Sequence, residues 1–106
     1  MGRVKYGISL SNRSVVSGGT TVSELVDAAI AAEESGCFDG VWVGDNLLSK
    51  PRLDYLVLLS AIAARTRYVK LGAICLASFP LRNPIQLAIQ WASLDVLSGG
   101  RTILAV

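Results

Sequence analysis

Leu94-Asp95-Val96-Leu97-Ser98-Gly99-Gly100-Arg101-Thr102-Ile103-Leu104-Ala105-Val106 is the stretch whose reading decides the fold. An amphipathic helix end runs into Gly99-Gly100, where glycine supplies a left-handed C-cap. The short apolar run after it reads as a buried parallel strand. Free termini are ordinarily solvated and poorly ordered, so a core strand at the chain end predicts part of a larger fold, interrupted there.

The same helix-then-strand pattern repeats upstream. Lys5 to Leu10 reads as a first strand and Ser11 to Thr20 as a polar loop. Thr21-Val22-Ser23-Glu24 is a capping box, opening a helix with Val22, Leu25, Val26, Ala29 and Ile30 on one face and Gly36 at its end. Gly40 to Val43 is a second strand, stopping at Gly44-Asp45-Asn46. Asp54 caps a helix running to Arg65, and Val69 to Cys75 is a third strand. Asn83-Pro84 pairs an N-cap with proline at the first helical position, followed by the helix Ile85 to Leu97 and a last strand from Thr102.

Strict alternation of helices with continuous apolar strands predicts an α/β fold with a parallel sheet. Two architectures fit, a doubly wound open sheet or a (β/α) barrel cut at its midpoint. The first βα turn lacks Gly-x-Gly-x-x-Gly, and no Gly-Lys-Ser/Thr follows Ser17-Gly18-Gly19-Thr20, which removes the main support for a nucleotide fold. Long βα loops favour the barrel, whose sites are built from those loops.

Composition sets the outer bounds. With 106 residues, 52% of them apolar, residues 1–106 make at most one compact domain. The net charge is +2, and the basic residues form no block or stripe, so neither nucleic acid nor membrane is an expected partner. The start lacks a signal peptide's apolar segment, which makes the expected location cytoplasmic. Cys37 and Cys75 lie outside any Cys-x-x-Cys spacing and read as reduced, buried thiols. The chain has no histidine, so the commonest general base and commonest metal ligand are both missing, and no metal site is expected.

Four stretches resemble the N-terminal part of the luciferase-like monooxygenases. They are Glu33-Glu34-Ser35-Gly36-Cys37-Phe38-Asp39-Gly40-Val41-Trp42-Val43-Gly44-Asp45, Ile62-Ala63-Ala64-Arg65-Thr66-Arg67-Tyr68-Val69-Lys70-Leu71-Gly72, Asn83-Pro84-Ile85-Gln86-Leu87-Ala88, and Ser93-Leu94-Asp95-Val96-Leu97-Ser98-Gly99-Gly100-Arg101. Each is weak alone; their order and spacing are specific. The resemblance implies an oxidoreductase that uses FMN or the deazaflavin coenzyme F420, on an eight-stranded TIM-type barrel of about 250 residues or more. This chain would hold strands one to four and the first three helices. The family's glycine-containing turn after strand four, and its phosphate site, would lie beyond Val106.

The resemblance also nominates site residues. Asp45 and Asn46 end strand two, at the face where barrel chemistry takes place, and are the first cofactor-binding candidates. The family often carries histidine where this chain has Asn46, so proton transfer there is not carried over. Asn46 either hydrogen-bonds a flavin or substrate carbonyl or satisfies its own loop backbone. Ile74 and Cys75 stand where the family places a bulge with a non-prolyl cis peptide behind the ring, and are the second cofactor-binding pair. Ser9 and Asn12, after strand one, are the substrate-binding candidates, with a solvated loop as their alternative reading. Arg82 reads either as a contact for an anionic substrate or cofactor tail or as a solvated side chain. Asp95 and Arg101 are expected to pair with each other or with backbone near the helix end.

Leu56-Val57-Leu58-Leu59 places four apolar residues consecutively on a helix, more than one sheet-facing stripe can bury. A second apolar face on an outer helix suggests a subunit interface. The resemblance agrees, since family dimers commonly join through these helices. Homo-oligomerisation through helices 54–65 and 84–97 is therefore expected. The leading function is the N-terminal portion of a flavin- or deazaflavin-dependent oxidoreductase of monooxygenase type, acting on a small-molecule substrate. The alternatives are a catalytically inactive module that associates through its helices, and two four-stranded halves that complete one barrel.

Overall fold

The computed structural model describes residues 2–106. Four strands, β1 (Gly7–Leu10), β2 (Gly40–Gly44), β3 (Lys70–Ile74) and β4 (Thr102–Ile103), form one parallel sheet in the order β1-β2-β3-β4. The connections carry α1 (Asn12–Val16), α2 (Val22–Ser35), α3 (Tyr55–Arg65) and α4 (Pro84–Ser98), with a 3₁₀ turn at Phe79–Leu81. The stretch read as a loop between Ser11 and Thr20 thus contains α1. Five residues are too few to show a helical period, and tertiary contacts, those of Asn12 and Val15 among them, hold that turn.

The expected caps form. The Thr21 hydroxyl accepts the Glu24 N–H at 3.2 Å while the Glu24 carboxylate accepts the Thr21 N–H at 3.2 Å. Asp54 caps α3 through the N–H groups of Leu56 and Val57, and Asn83 caps α4 through those of Ile85 and Gln86. Gly36 and Gly99 close α2 and α4 in the left-handed conformation that a side chain would strain.

One face of the sheet holds the core. Leu10, Val41, Val43, Leu71 and Ala73 pack with Leu25, Val26 and Ala29 of α2 and with Leu58, Leu59 and Ile62 of α3. A doubly wound sheet would reverse its strand order and put helices on both faces. Here the order never reverses, and the winding is that of half a closed barrel.

By alternation, the other face carries Gly7, Ser9, Gly40, Trp42, Gly44, Gly72 and Ile74, and in a closed barrel it would line the interior. Trp42 dominates it. Its indole lies across both neighbouring strands, and a Cβ on Gly72 would stand 2.6 Å from Trp42 Cε3 and 2.8 Å from the Ile103 carbonyl oxygen. The glycines at Gly7 and Gly72 are therefore the space the indole occupies.

Two expectations need correction here, and one open alternative is resolved. The run Leu56–Leu59 is mostly core: Leu58 and Leu59 are buried and Val57 alone is well exposed, because α3 packs against both the sheet and α4. Cys37 and Cys75 are both exposed, each standing where the chain leaves a regular element. Of the two readings open for Asp95 and Arg101, contact with backbone near the helix end is the one that forms. Asp95 accepts the Thr102 hydroxyl and N–H, while Arg101 turns inward to backbone carbonyls.

Candidate functional site at the C-terminal rim of the sheet

At the C-terminal ends of β1, β2 and β3 the chain makes three loops, and buried polar side chains tie them together. Asn12, at the start of α1, is 1% exposed. Its amide nitrogen donates to the carbonyls of Gly44 and Leu53, each at 2.8 Å, and its Oδ1 accepts the Gly44 N–H at 3.3 Å. The expected substrate contact at Asn12 is thereby replaced by a brace between the first two loops: the turn of α1 carries the side chain inward and both ends of its amide are occupied.

Asp45 joins the second loop to the third. Its Oδ2 accepts the Ser78 N–H at 3.0 Å and the Ser78 hydroxyl, and its Oδ1 accepts Arg82 Nη2 at 2.9 Å. Arg82 also reaches Asp54 Oδ2 at 3.5 Å and lies over the Tyr55 ring, 4.7 Å from its centroid. Burial alone would raise the Asp45 pKa, but the hydrogen bonds from Ser78 and the Arg82 charge outweigh it and hold the carboxyl below its usual range. Arg82 is burdened by burial in the same way, yet Asp45 keeps its pKa raised. Asp45 is thus a partner of Arg82 and Ser78, and its carboxylate oxygens face neither rim cavity freely. Arg82 is thus tied to protein partners through Nε and Nη2 rather than left as a solvated side chain. The Tyr55 hydroxyl beneath it is buried without a hydrogen-bond partner among the described residues, and burial raises its pKa.

Asn46 folds back on its own loop, its Oδ1 accepting the N–H groups of Leu48 (3.3 Å) and Ser49 (3.0 Å). That is the local alternative of the two open readings, although its amide nitrogen has no acceptor among the described residues. Ile74 is 48% exposed on the interior face. Beyond it Cys75 takes φ 38°, a left-handed value that costs a non-glycine residue strain. The Leu71 N–H meets the Arg101 carbonyl, so unbroken register would bring the Cys75 N–H to the Ala105 carbonyl. Instead the Leu76 N–H meets the Ala105 carbonyl at 2.7 Å, one residue late. A bulge is therefore present at Ile74-Cys75. The cis peptide implied by the resemblance is not: every described peptide bond is trans, and the left-handed turn at Cys75 absorbs the additional residue.

Ser9, Asn12, Asp45 and Ile74 come together around one rim cavity of about 330 Å³, with Gly44, Arg13 and Arg52. Asn46 lines an adjoining cavity of about 340 Å³ with Arg52, Asp54 and Arg82. Cys75 lines neither. The residues that sequence reasoning missed are Ser78, Arg52 and Trp42. For Trp42 a signal existed, the glycines flanking it on both strands; for Ser78 and Arg52 there was none. Among the described residues no group of three or more Cys, Asp or Glu side chains is placed to hold a metal, and no helix is long and apolar enough to cross a membrane.

A sequentially ordered parallel sheet, helices on one face and cavities at the strands' C-terminal ends together define the N-terminal half of a (β/α)8 barrel. The chain belongs to the luciferase-like monooxygenase family, whose model matches residues 4–106. It is 36% identical over 88 residues to the F420-dependent glucose-6-phosphate dehydrogenase of Amycolatopsis mediterranei, covering 78% of this chain and 26% of that protein. The Nakamurella multipartita enzyme of the same name is 40% identical over 91 residues, with 79% and 26% covered. Among solved structures, the coenzyme F420 dependent tetrahydromethanopterin reductase from Methanopyrus kandleri superposes with TM-score 0.73 at 26% identity, over 97% of this chain and 26% of that one. A monooxygenase from Streptomyces bottropensis gives TM-score 0.73 at 28% identity, over 95% and 32%. The chain thus spans between about a quarter and a third of the length of these relatives.

Proposed function

We propose that this chain forms the N-terminal wall of the cofactor and substrate site of a flavin- or deazaflavin-dependent oxidoreductase. The observation that carries this reading is the rim cavity itself, at the strand ends where barrel chemistry takes place, in a chain matched by the family model almost end to end. The residues present fit one side of a planar ring. Ile74 offers an exposed apolar surface at the bulge, and the Asn46 amide nitrogen is available to donate to a ring or substrate carbonyl. A bound FMN or coenzyme F420 would supply the two-electron chemistry.

The residues of this chain act by binding and orientation. The Asn12 and Asp45–Ser78–Arg82 braces hold the three loops at fixed spacing, so that Ile74, Ser9 and Asn46 keep their positions when a ligand enters. Incorporation or reduction of oxygen is the finer form of the proposal, supported by the monooxygenase among the structural relatives; the F420-dependent dehydrogenases support an oxygen-independent form. Titration of FMN and of coenzyme F420 tests the reading through cofactor fluorescence. Quenching at micromolar protein is expected, and unchanged fluorescence up to millimolar cofactor would remove the cofactor role from this chain.

A second reading, association of this module with a copy of itself, is favoured by the outer face of α4. Ile85, Ile89 and Val96 are 72%, 63% and 82% exposed. Their spacing sets them on one stripe with Ala92. Val57 of the adjacent α3 is 71% exposed. Light scattering is expected to give a dimer that Ile89→Glu dissociates with helicity unchanged. A folded monomer at high concentration would overturn this reading.

A further inference from the structure

Two arginines at the rim have no carboxylate partner among the described residues, and Arg52 is the more buried of them. Arg52 is half-buried, and its guanidinium lies directly against the backbone of β2 at Gly44, where any Cβ would collide with Nη1. Its Nε donates to the Lys50 carbonyl at 3.4 Å, which orients the group. Nη1 and Nη2 have no acceptor among the described residues, and no carboxylate lies within ion-pair distance. Guanidinium donors that no protein group engages are available to hydrogen-bond an anion that enters the cavity.

The surroundings are short of negative charge. Three guanidinium groups, from Arg13, Arg52 and Arg82, line the two rim cavities against two carboxylates, from Asp45 and Asp54. Arg82 engages both carboxylates, which leaves Arg13 and Arg52 unmatched. Arg52 lines both cavities, and the hydroxyl-bearing Ser9 and Ser11 share one of them with it. Ser9 makes no side-chain hydrogen bond among the described residues, and Ser11 accepts one from Ser14. A planar fork of free N–H donors beside hydroxyl groups is the recognition chemistry of phosphate and carboxylate.

We propose that Arg52, supported by Arg13 and the hydroxyls of Ser9 and Ser11, is an anion-binding site at the mouth of the half-barrel, accepting the phosphate or carboxylate of a small molecule. Its place in catalysis rests on the function proposed above; its binding chemistry does not. Arg52 grips the anion in bidentate fashion, Gly44 leaves the room the guanidinium needs, and the bound group sits at the edge of the cavity that Ile74 lines. The anion belongs either to the substrate or to the tail of the cofactor, two sources of the same chemistry.

NMR titration of the 106-residue chain with inorganic phosphate tests the site. Saturable shifts are expected at the Ser9, Ser11 and Gly44 amides and at Arg52 Nε. Arg52→Gln should weaken binding by about tenfold or more, the scale of a lost charge-assisted hydrogen bond. Arg52→Lys, which keeps the charge and loses the fork, should fall between, and Arg65→Gln, at the opposite end of α3, should bind as the unaltered chain does. Shifts that never saturate, or an unaltered affinity in Arg52→Gln, would overturn the proposal. Comparing FMN with riboflavin separates the sources. An FMN advantage abolished by Arg52→Gln assigns the site to the cofactor tail; phosphate binding that persists with flavin bound assigns it to the substrate. Should no flavin bind while phosphate still depends on Arg52, the anion site stands and the oxidoreductase reading falls.

Discussion

The two rims of the sheet are built on opposite rules. At the N-terminal rim the charges rest mainly on backbone, with the Thr66 hydroxyl as one side-chain acceptor for Arg101. Arg101, 7% exposed, donates Nη2 to the Ala63 and Thr66 carbonyls at 2.9 and 3.0 Å, Nη1 to the Val69 carbonyl at 3.1 Å, and Nε to the Ser98 carbonyl at 2.6 Å. Glu33 accepts the N–H groups of Arg67, Tyr68 and Val69 from the facing loop. At the C-terminal rim side-chain pairs join the backbone contacts, through Asp45, Ser78, Arg82 and Asp54, and two arginines are left over. Backbone acceptors fix one geometry. Side-chain pairs keep donors and acceptors exchangeable with a ligand, which suits the face where barrel chemistry occurs.

The largest effect is expected at the rim that only holds the fold. Arg101→Leu removes the donors to carbonyls at the C-terminal end of α3 and in the turn after it, where helix termini already lack partners. Leaving several buried acceptors unpaired should cost about 3 kcal/mol or more. Urea unfolding measures it, and a loss under 1 kcal/mol would show that water replaces the guanidinium and that the rims do not differ as described.

The opposite rim should respond less strongly and in a pH-dependent way. Asp45 and Glu33 both have carboxyl pKa values below the ordinary range: at Asp45 burial is overcome by Ser78 and Arg82, and at Glu33 burial is overcome by three backbone N–H groups. A carboxyl depressed on folding stabilises the protein fully above its unfolded pKa, near 4, and the contribution vanishes as pH falls through the folded value. Asp45→Asn is thus expected to cost about 1–3 kcal/mol at pH 7 and to converge with the unaltered chain in acid. A cost that stays constant down to pH 2 would show that shape rather than charge joins the loops.

The fold was largely legible because it rests on local signals. The capping box at Thr21–Glu24, the Asn83-Pro84 start and the Gly99-Gly100 stop each act within a few residues, and each formed as expected. The site was less legible, because its partners are far apart in sequence. Nothing near Asn12 announces that its amide will meet Gly44 and Leu53, and nothing near Asp45 announces Ser78. Residue type was read correctly as polar at the rim, but whether a polar group faces ligand or backbone is decided by the packing of loops. Arg82 shows the difference: in sequence it reads as an anion contact or a solvated side chain, and the fold gives it two carboxylates and an aromatic ring.

Arg52 is the sharpest probe of the comparison because its expected effect on stability is the smallest. Arg101 and Arg52 are both arginines withdrawn from solvent to different degrees, and only the first has its donors matched by protein acceptors. Arg52→Gln should therefore change unfolding free energy by no more than about 0.5 kcal/mol, the range of a substitution that breaks no buried partnership. It should raise stability slightly at low salt, since it relieves repulsion among Arg13, Arg52 and Arg82. The same substitution should abolish any stabilisation that added phosphate gives the unaltered chain, because a ligand stabilises only the state that binds it. A destabilisation on the scale of Arg101→Leu would place Arg52 with the fold instead, and the C-terminal rim would then be braced as fully as the other.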